Sequence, residues 1–262
     1  MSSSVPSIRF SDASVVYPNG VRGLDQLDLT ITRGEMVIVV GLSGAGKSTM
    51  LRATNGLVEV TGGDVVVEGE SVRQAKGGAM RALRSKIGMI FQDYRLVKRL
   101  TVLQNVLMGR VAKVPTWRTV MGLWPKADIE VALEMLDRVG LADRAHVRAT
   151  DLSGGQQQRV GIARALAQEP SIVLADEPVA SLDPITSRRV MDDLRRINQD
   201  LGITTLINLH FLDLAKEYGE RIVGLRSGGL IYDGAASSVS NEDFAKIYGR
   251  EMTDDDVMGQ VA

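Results

Sequence analysis

Between Val40 and Thr49 the chain reads Gly41-Leu42-Ser43-Gly44-Ala45-Gly46-Lys47-Ser48, a spacing suited to holding phosphate. The glycines let successive backbone N–H groups converge on phosphate oxygens, and a helix opening at Lys47 adds the positive end of its dipole. This is the P-loop pattern. Lys47 is expected to reach the β and γ phosphates of a nucleoside triphosphate, and Ser48 to give its hydroxyl to magnesium. The nucleotide-contacting run is read as Gly41, Leu42, Ser43, Gly44, Ala45, Gly46, Lys47, Ser48 and Thr49.

Far downstream, Ile172-Val173-Leu174-Ala175-Asp176-Glu177-Pro178 places two carboxylates at the carboxyl end of an apolar run, where open α/β sheets hold their ligands. Asp176 suits a magnesium shell. Glu177, one step further, is placed to accept a proton from an attacking water. An Asp-Glu pair after a strand is by itself more often a turn, and the P-loop upstream gives this one its weight. Between the two, Leu152-Ser153-Gly154-Gly155-Gln156 runs into Gln157-Gln158-Arg159. Ser153 can cap the helix that follows, while Gly154 and Gly155 free its first N–H groups, which makes a second helix end able to bind phosphate.

These residues need a scaffold, and the hydrophobic pattern supplies one. Runs at 9–16 and 27–32, rich in β-branched residues and closed by Pro18-Asn19-Gly20 and Arg33-Gly34, predict an antiparallel N-terminal sheet. From 36–40 the order becomes strand, glycine turn, helix (47–55). It returns as strands at 172–175 and 203–209 around a helix at 184–201, which predicts a parallel sheet with crossover helices. Residues 101–168 read almost entirely as helix; in 127–139 the apolar Ile129, Ala132, Leu133, Leu136 and Val139 follow i, i+3, i+4 spacing. Packing is the expected role of Trp117 and Trp124 there.

Composition narrows the partners. Lys plus Arg number 31 against 32 Asp plus Glu, so no basic surplus draws the chain to a nucleic-acid backbone or an anionic membrane. Cysteine is absent and there are 2 histidines, His146 and His210, which excludes disulfides and thiolate metal sites and disfavours zinc. The start lacks the pattern of a signal peptide, and no window offers the ~20 apolar residues of a spanning helix. If the protein serves a membrane, another chain is expected to span it.

Leu152-Ser153-Gly154-Gly155-Gln156, set between a P-loop and an Asp-Glu strand, resembles the signature sequence of the ABC ATPase family. The resemblance covers about 8–248. It implies an α/β fold: a P-loop NTPase of ABC ATPase type with a RecA-like core, an N-terminal antiparallel β-subdomain and an inserted α-helical subdomain. Residues 1–262 form one domain in this view, with the helical signature subdomain at 92–168 and a flexible tail at 251–262. It further implies that Gln92 is the Q-loop glutamine that touches magnesium, that His210 is the switch histidine at the γ phosphate, and that Tyr17 stacks on adenine. Lys47, Glu177 and His210 would carry catalysis. Ser48, Gln92 and Asp176 would hold the metal. Leu152, Ser153, Gly154, Gly155 and Gln156 would act on ATP held by the opposite protomer, and Asp183, in Ser181-Leu182-Asp183, would communicate across the dimer.

Within the family, Phe91-Gln92, the run from Leu96 to Leu107, Ile207-Asn208-Leu209-His210 and Glu220-Arg221-Ile222-Val223-Gly224-Leu225 resemble the subgroup serving phosphonate importers. Asp93 departs from the neutral residue expected beside Gln92. The implied cofactors are ATP and Mg2+. The implied partners are a second copy of the chain, transmembrane permease subunits and a separate solute-binding protein, with no nucleic acid; the implied place is the cytoplasmic face of the membrane, peripherally. Leu96, Val97 and Leu100 are expected to border the groove that receives a permease helix. Two other functions stay open at this point: an ABC ATPase docked on a phosphonate-degrading enzyme complex, and an importer ATPase for another small solute. A nucleic-acid-associated ABC ATPase is disfavoured, since the chain has neither a second cassette nor a long coiled coil.

Overall fold

The structure is a computed structural model that describes residues 6–251 and 257. The segment 252–262, apart from residue 257, lies outside the described residues, and with it most of the tail expected at 251–262. The chain opens with strands β1 (Pro6–Val16) and β2 (Arg22–Thr32), followed by β3 (Met36–Val40) and helix α1 (Lys47–Thr54). Strands β4 (Gly62–Val67) and β5 (Glu70–Ser71), helix α2 (Gly77–Ser85) and strand β6 (Ile87–Ile90) come next. Helices α3 (Val102–Leu107), α4 (Thr116–Val120), α5 (Lys126–Arg138) and α6 (Gly154–Ala167) fill the stretch to β7 (Ile172–Asp176). The remainder is α7 (Pro184–Leu201), β8 (Thr204–Asn208), α8 (Leu212–Tyr218), the pair β9 (Arg221–Arg226) and β10 (Gly229–Ala235), and α9 (Asn241–Tyr248).

Two sheets organise these elements. One is antiparallel and 4-stranded, in the order β2-β1-β4-β5, and the other is 6-stranded, in the order β10-β9-β3-β8-β7-β6. In the second, β9, β3, β8, β7 and β6 run parallel and β10 turns back antiparallel on β9. Alternation along β3 explains its central place: Met36, Ile38 and Val40 join the core shared with α3, α5, α6 and α7, while Val37 and Val39 join the core under the 4-stranded sheet and α1. Strand β7 divides the same way, with Val173 and Ala175 on one face and Ile172 and Leu174 on the other. A strand buried on both faces must be apolar throughout, and for that reason its carboxyl end is the first place a carboxylate can emerge.

The expectation of packing holds for Trp124 and fails for Trp117. Trp124 lies against the larger core, whereas Trp117 is 60% exposed, alongside Val120, Met121 and Leu123, all more than half exposed. Helix α4 has 5 residues and none is buried. So short a helix, followed by Gly122 in the left-handed region, offers no buried face to seat an indole.

Candidate active site

Strand β3 ends at Val40 and the chain turns into α1 through glycines whose geometry excludes any side chain. Gly46 adopts φ 105°, and a Cβ there would lie 2.4 Å from the carbonyl oxygen of Gly23; at Gly41 it would lie 2.3 Å from that of Leu225. Gly46 is the N-cap of α1 and supplies no side-chain hydrogen bond, so the first N–H groups of the helix face the loop without an internal partner, the condition for anion binding. Lys47 is buried, and its Nζ donates to the carbonyls of Gly41 (2.6 Å) and Leu42 (3.1 Å). Burial lowers its pKa, while Glu177 and Asp176 pull in the opposite direction. Tyr17 closes one side: its hydroxyl lies 3.0 Å from Thr49 Oγ1, and the cleft of about 220 Å³ that it shares with residues 43–49 also includes Glu177. Pockets that enclose a small ligand run to about 300–1,000 Å³, and this cleft is smaller.

Asp176 ends β7 directly beneath this loop. Its Oδ1 accepts from Ser48 Oγ at 2.7 Å and from Asn208 Nδ2 at 2.8 Å, and Oδ2 lies 3.6 Å from Arg52. Hydroxyl and carboxylate oxygens are the donors magnesium takes. The buried Asn208 side chain, whose Nδ2 donates to this carboxylate, holds it in place. The oxygen donors of Ser48 and Asp176 therefore fit Mg2+.

Glu177 follows at φ 51°, a left-handed conformation that costs a non-glycine residue on the order of 1–3 kcal/mol. The sharp turn carries its side chain off the strand line and toward Lys47 and His210. His210, just past β8, donates from Nε2 to Glu177 Oε1 at 2.5 Å, and the carboxylate, which can only accept, fixes the tautomer with hydrogen on Nε2. That hydrogen bond is the main reason the Glu177 pKa is lowered; the charge of Lys47 adds to it, and partial burial opposes it. The carboxylate is thus ionised at neutral pH and can accept a proton.

The second glycine-bearing helix end lies elsewhere. Ser153 caps α6 in a reciprocal box, accepting from Gln156 N while its own N–H donates to Gln156 Oε1 at 3.0 Å. A Cβ at Gly155 would sit 2.2 Å from Thr186 Cγ2, and one at Gly154 would sit 3.0 Å from the Tyr94 hydroxyl. Thr186 belongs to the first turn of α7, whose N-cap is Asp183, accepting from Thr186 N at 3.0 Å. None of the residues 152–156 lines the P-loop cleft, nor does Gln92, which is exposed beyond β6. The chain thus brings together Tyr17, the P-loop, Asp176, Glu177 and His210, and leaves Gln92, Asp183 and the α6 end outside that group.

The family model for the ABC transporter matches residues 24–180, a span that includes the P-loop, the α6 end and the Asp176–Glu177 pair. The chain belongs to the ABC transporter family. Two of its relatives are the phosphonates import ATP-binding protein PhnC of Shouchella clausii, 56% identical over 97% of this chain and 95% of that one, and that of Staphylococcus epidermidis, 57% identical over 96% and 98%. Among solved structures, the dimeric ATP-binding cassette MJ0796 bound to ADP and Pi is 33% identical with a TM-score of 0.75, over 87% of this chain and 98% of that one.

As an ABC transporter cassette the chain binds and hydrolyses ATP. Two parts of its site escaped the sequence reading. Asn208 entered only as part of a subgroup resemblance, although its side chain joins Asp176. Arg164, on α6, donates to the carbonyls of Tyr94 (2.8 Å) and Arg95 (2.6 Å), both at positive φ, and so ties the segment after Gln92 to the signature helix. A polar residue at the carboxyl end of a buried strand was the one available signal for Asn208; for Arg164 there was none.

Proposed function

We propose that this chain is the ATP-hydrolysing subunit of an importer for phosphonates or related phosphorus oxyanions. It would work as a homodimer on the cytoplasmic face of the membrane, with permease subunits and a separate solute-binding protein. The observation that carries the substrate class is the identity of 56–57% to phosphonate import ATP-binding proteins over 96–97% of the chain. Among the described residues no helix is long and apolar enough to cross a membrane, in keeping with permease subunits on other chains. Uptake of a labelled alkylphosphonate into proteoliposomes holding the chain, its permease and its binding protein tests the substrate. Uptake should need internal ATP and be chased by unlabelled phosphonate. If amino acids or metal ions chase it and phosphonates do not, the substrate class is wrong.

In the proposed chemistry, the free N–H groups of the loop and of the α1 end hold the β and γ phosphates, and Lys47 neutralises their charge. Tyr17 stacks on adenine. Magnesium, held by Ser48, Asp176 and Gln92, would supply Lewis-acid charge neutralisation. Glu177 takes the proton of the attacking water, and His210 orients Glu177 and meets the γ phosphate. Because the α6 end stands apart from its own cleft, Leu152, Ser153, Gly154, Gly155 and Gln156 are assigned to the ATP of the opposite protomer, and Asp183 to contact across the dimer.

The permease would dock beside the Gln92 segment. Of the residues expected to border that groove, Leu96 packs on the core and Val97 is 49% exposed. A larger groove of about 680 Å³ opens between α2 and the segment from Met108 to Thr116, with Met108, Val111 and Val114 on one wall and Arg81 and Arg84 on the other. Aspartate at Leu96 or Leu100 would place an unpaired charge in the contact beside the Gln92 segment, which is expensive to bury. Co-purification with the permease should drop while ATP binding by the isolated chain persists. Unchanged assembly and transport in both variants would remove that segment from the interface.

A further inference from the structure

Asn208 occupies a position that packing alone does not explain. It ends β8, in register with Asp176 on β7, and it is wholly buried. Its neighbours in the strand, Leu206 and Ile207, are apolar and equally buried, and a buried polar side chain is costly unless its hydrogen bonds are made. Half of that requirement is met. Nδ2 donates to Asp176 Oδ1 at 2.8 Å, the same oxygen that accepts from Ser48 Oγ at 2.7 Å. A carboxylate can only accept, so the amide nitrogen must face Asp176 and the amide oxygen must face away. That oxygen is the one left buried without a partner. An aliphatic residue would fill the space with no such loss, and nothing else in β7 or β8 holds the Asp176 carboxylate.

We propose that Asn208 is a positioning residue of the metal–phosphate site: its amide N–H, donated to Asp176 Oδ1 beside the Ser48 hydroxyl, fixes which oxygen of Asp176 faces the cation. The proposal rests on the reading of Ser48 and Asp176 as magnesium holders. Magnesium keeps several waters when bound, and groups that orient a metal's ligands typically change affinity by about 10–100-fold when removed. Asn208 does not touch nucleotide in this account; it acts through Asp176.

The test measures Mn2+ binding to the chain–ADP complex by electron paramagnetic resonance, with metal-free ADP binding measured on the same samples. Asn208→Val keeps a compact side chain and loses both polar atoms, and Asn208→Ser keeps one hydroxyl, so at least one folded variant is available as judged by thermal unfolding. Asn208→Val should weaken Mn2+ by about 10–100-fold with metal-free ADP binding unchanged, and its ATPase activity should recover as metal is raised. Asn208→Ser should fall between it and the unmodified chain. Mn2+ binding as in the unmodified chain in a folded variant overturns the proposal, as does loss of metal-free ADP binding in parallel with metal. Ser48→Ala separates the layers: if it weakens Mn2+ and Asn208→Val does not, only Asn208 is misassigned. If Ser48→Ala leaves Mn2+ binding intact, the metal-site reading falls and the Asn208 role with it.

Discussion

Glu177→Gln should lower ATP turnover by about 10²–10⁴-fold, the usual cost of losing a positioned general base, which corresponds to about 3–5 kcal/mol of transition-state stabilisation. ATP binding should survive, and a dimer held together by unhydrolysed ATP should accumulate. The structure makes this substitution unusually clean. Glutamine and glutamate are alike non-glycine residues at φ 51°, so the strain of the turn is unchanged, and the amide oxygen can still accept the hydrogen bond that His210 Nε2 now gives Oε1. What disappears is the negative charge and the capacity to take a proton. Steady-state phosphate release and size-exclusion chromatography with labelled ATP are the measurements. A purified variant that turns over near the normal rate would remove Glu177 from the role of base.

A mixture of two inactive chains should regain ATP trapping. On a Glu177→Gln background, Lys47→Ala removes the buried cation of the P-loop and Ser153→Arg blocks the α6 end by bulk. Each alone should fail to form an ATP-held dimer. Together, the intact P-loop of one meets the intact Ser153 of the other, so a heterodimer recovers one complete site and loses the other twice over. One trapped ATP per dimer is the expected stoichiometry. Ser153→Arg also deletes the capping box on α6, at a cost of about 0.5–2 kcal/mol, so thermal unfolding of that chain belongs beside the assay. The chain has no cysteine, and one introduced thiol per chain can carry distinct labels without background. The shared-site arrangement fails if either mutant alone traps ATP, or if the folded pair forms no heterodimer.

The parts of the site legible in the sequence are those whose demands are local. Gly41, Gly44 and Gly46 answer first to the positive φ each adopts within one turn, although Gly41 and Gly46 also meet the distant carbonyls of Leu225 and Gly23, and Ser153 with Gln156 answers to hydrogen bonds three residues apart; a sequence displays the local constraints side by side. The carboxylates of Asp176 and Glu177 could be read because an apolar strand must end before they emerge. The pairing of Asp176 with Asn208 joins residues on different strands, 32 positions apart, and local spacing carries no trace of it. The same holds for Arg164 and the carbonyls of Tyr94 and Arg95, about 70 positions away. The left-handed turn at Glu177 was hidden for another reason: it falls on a residue type that gives no warning of positive φ. The β9–β10 hairpin went unread although Ser227-Gly228-Gly229 marks its turn, and Trp117 was given a packing role because aromatic residues are usually buried.

The close approach of Gly155 to Thr186, where a Cβ would be 2.2 Å from the threonine methyl, bears on how genetic data from this region should be understood. A side chain at 155 requires the Thr186 methyl to rotate away or α6 and α7 to part, so an inactive Gly155→Ala protein reports a steric adjustment as readily as a lost phosphate contact. Saturation mutagenesis would mark the position as intolerant under either cause. An amide-to-ester replacement of the Gly155 backbone nitrogen, which deletes the N–H donor and adds no bulk, separates them: trapping of ATP lost in the ester isolates the phosphate contact, and trapping retained leaves the glycine to packing alone.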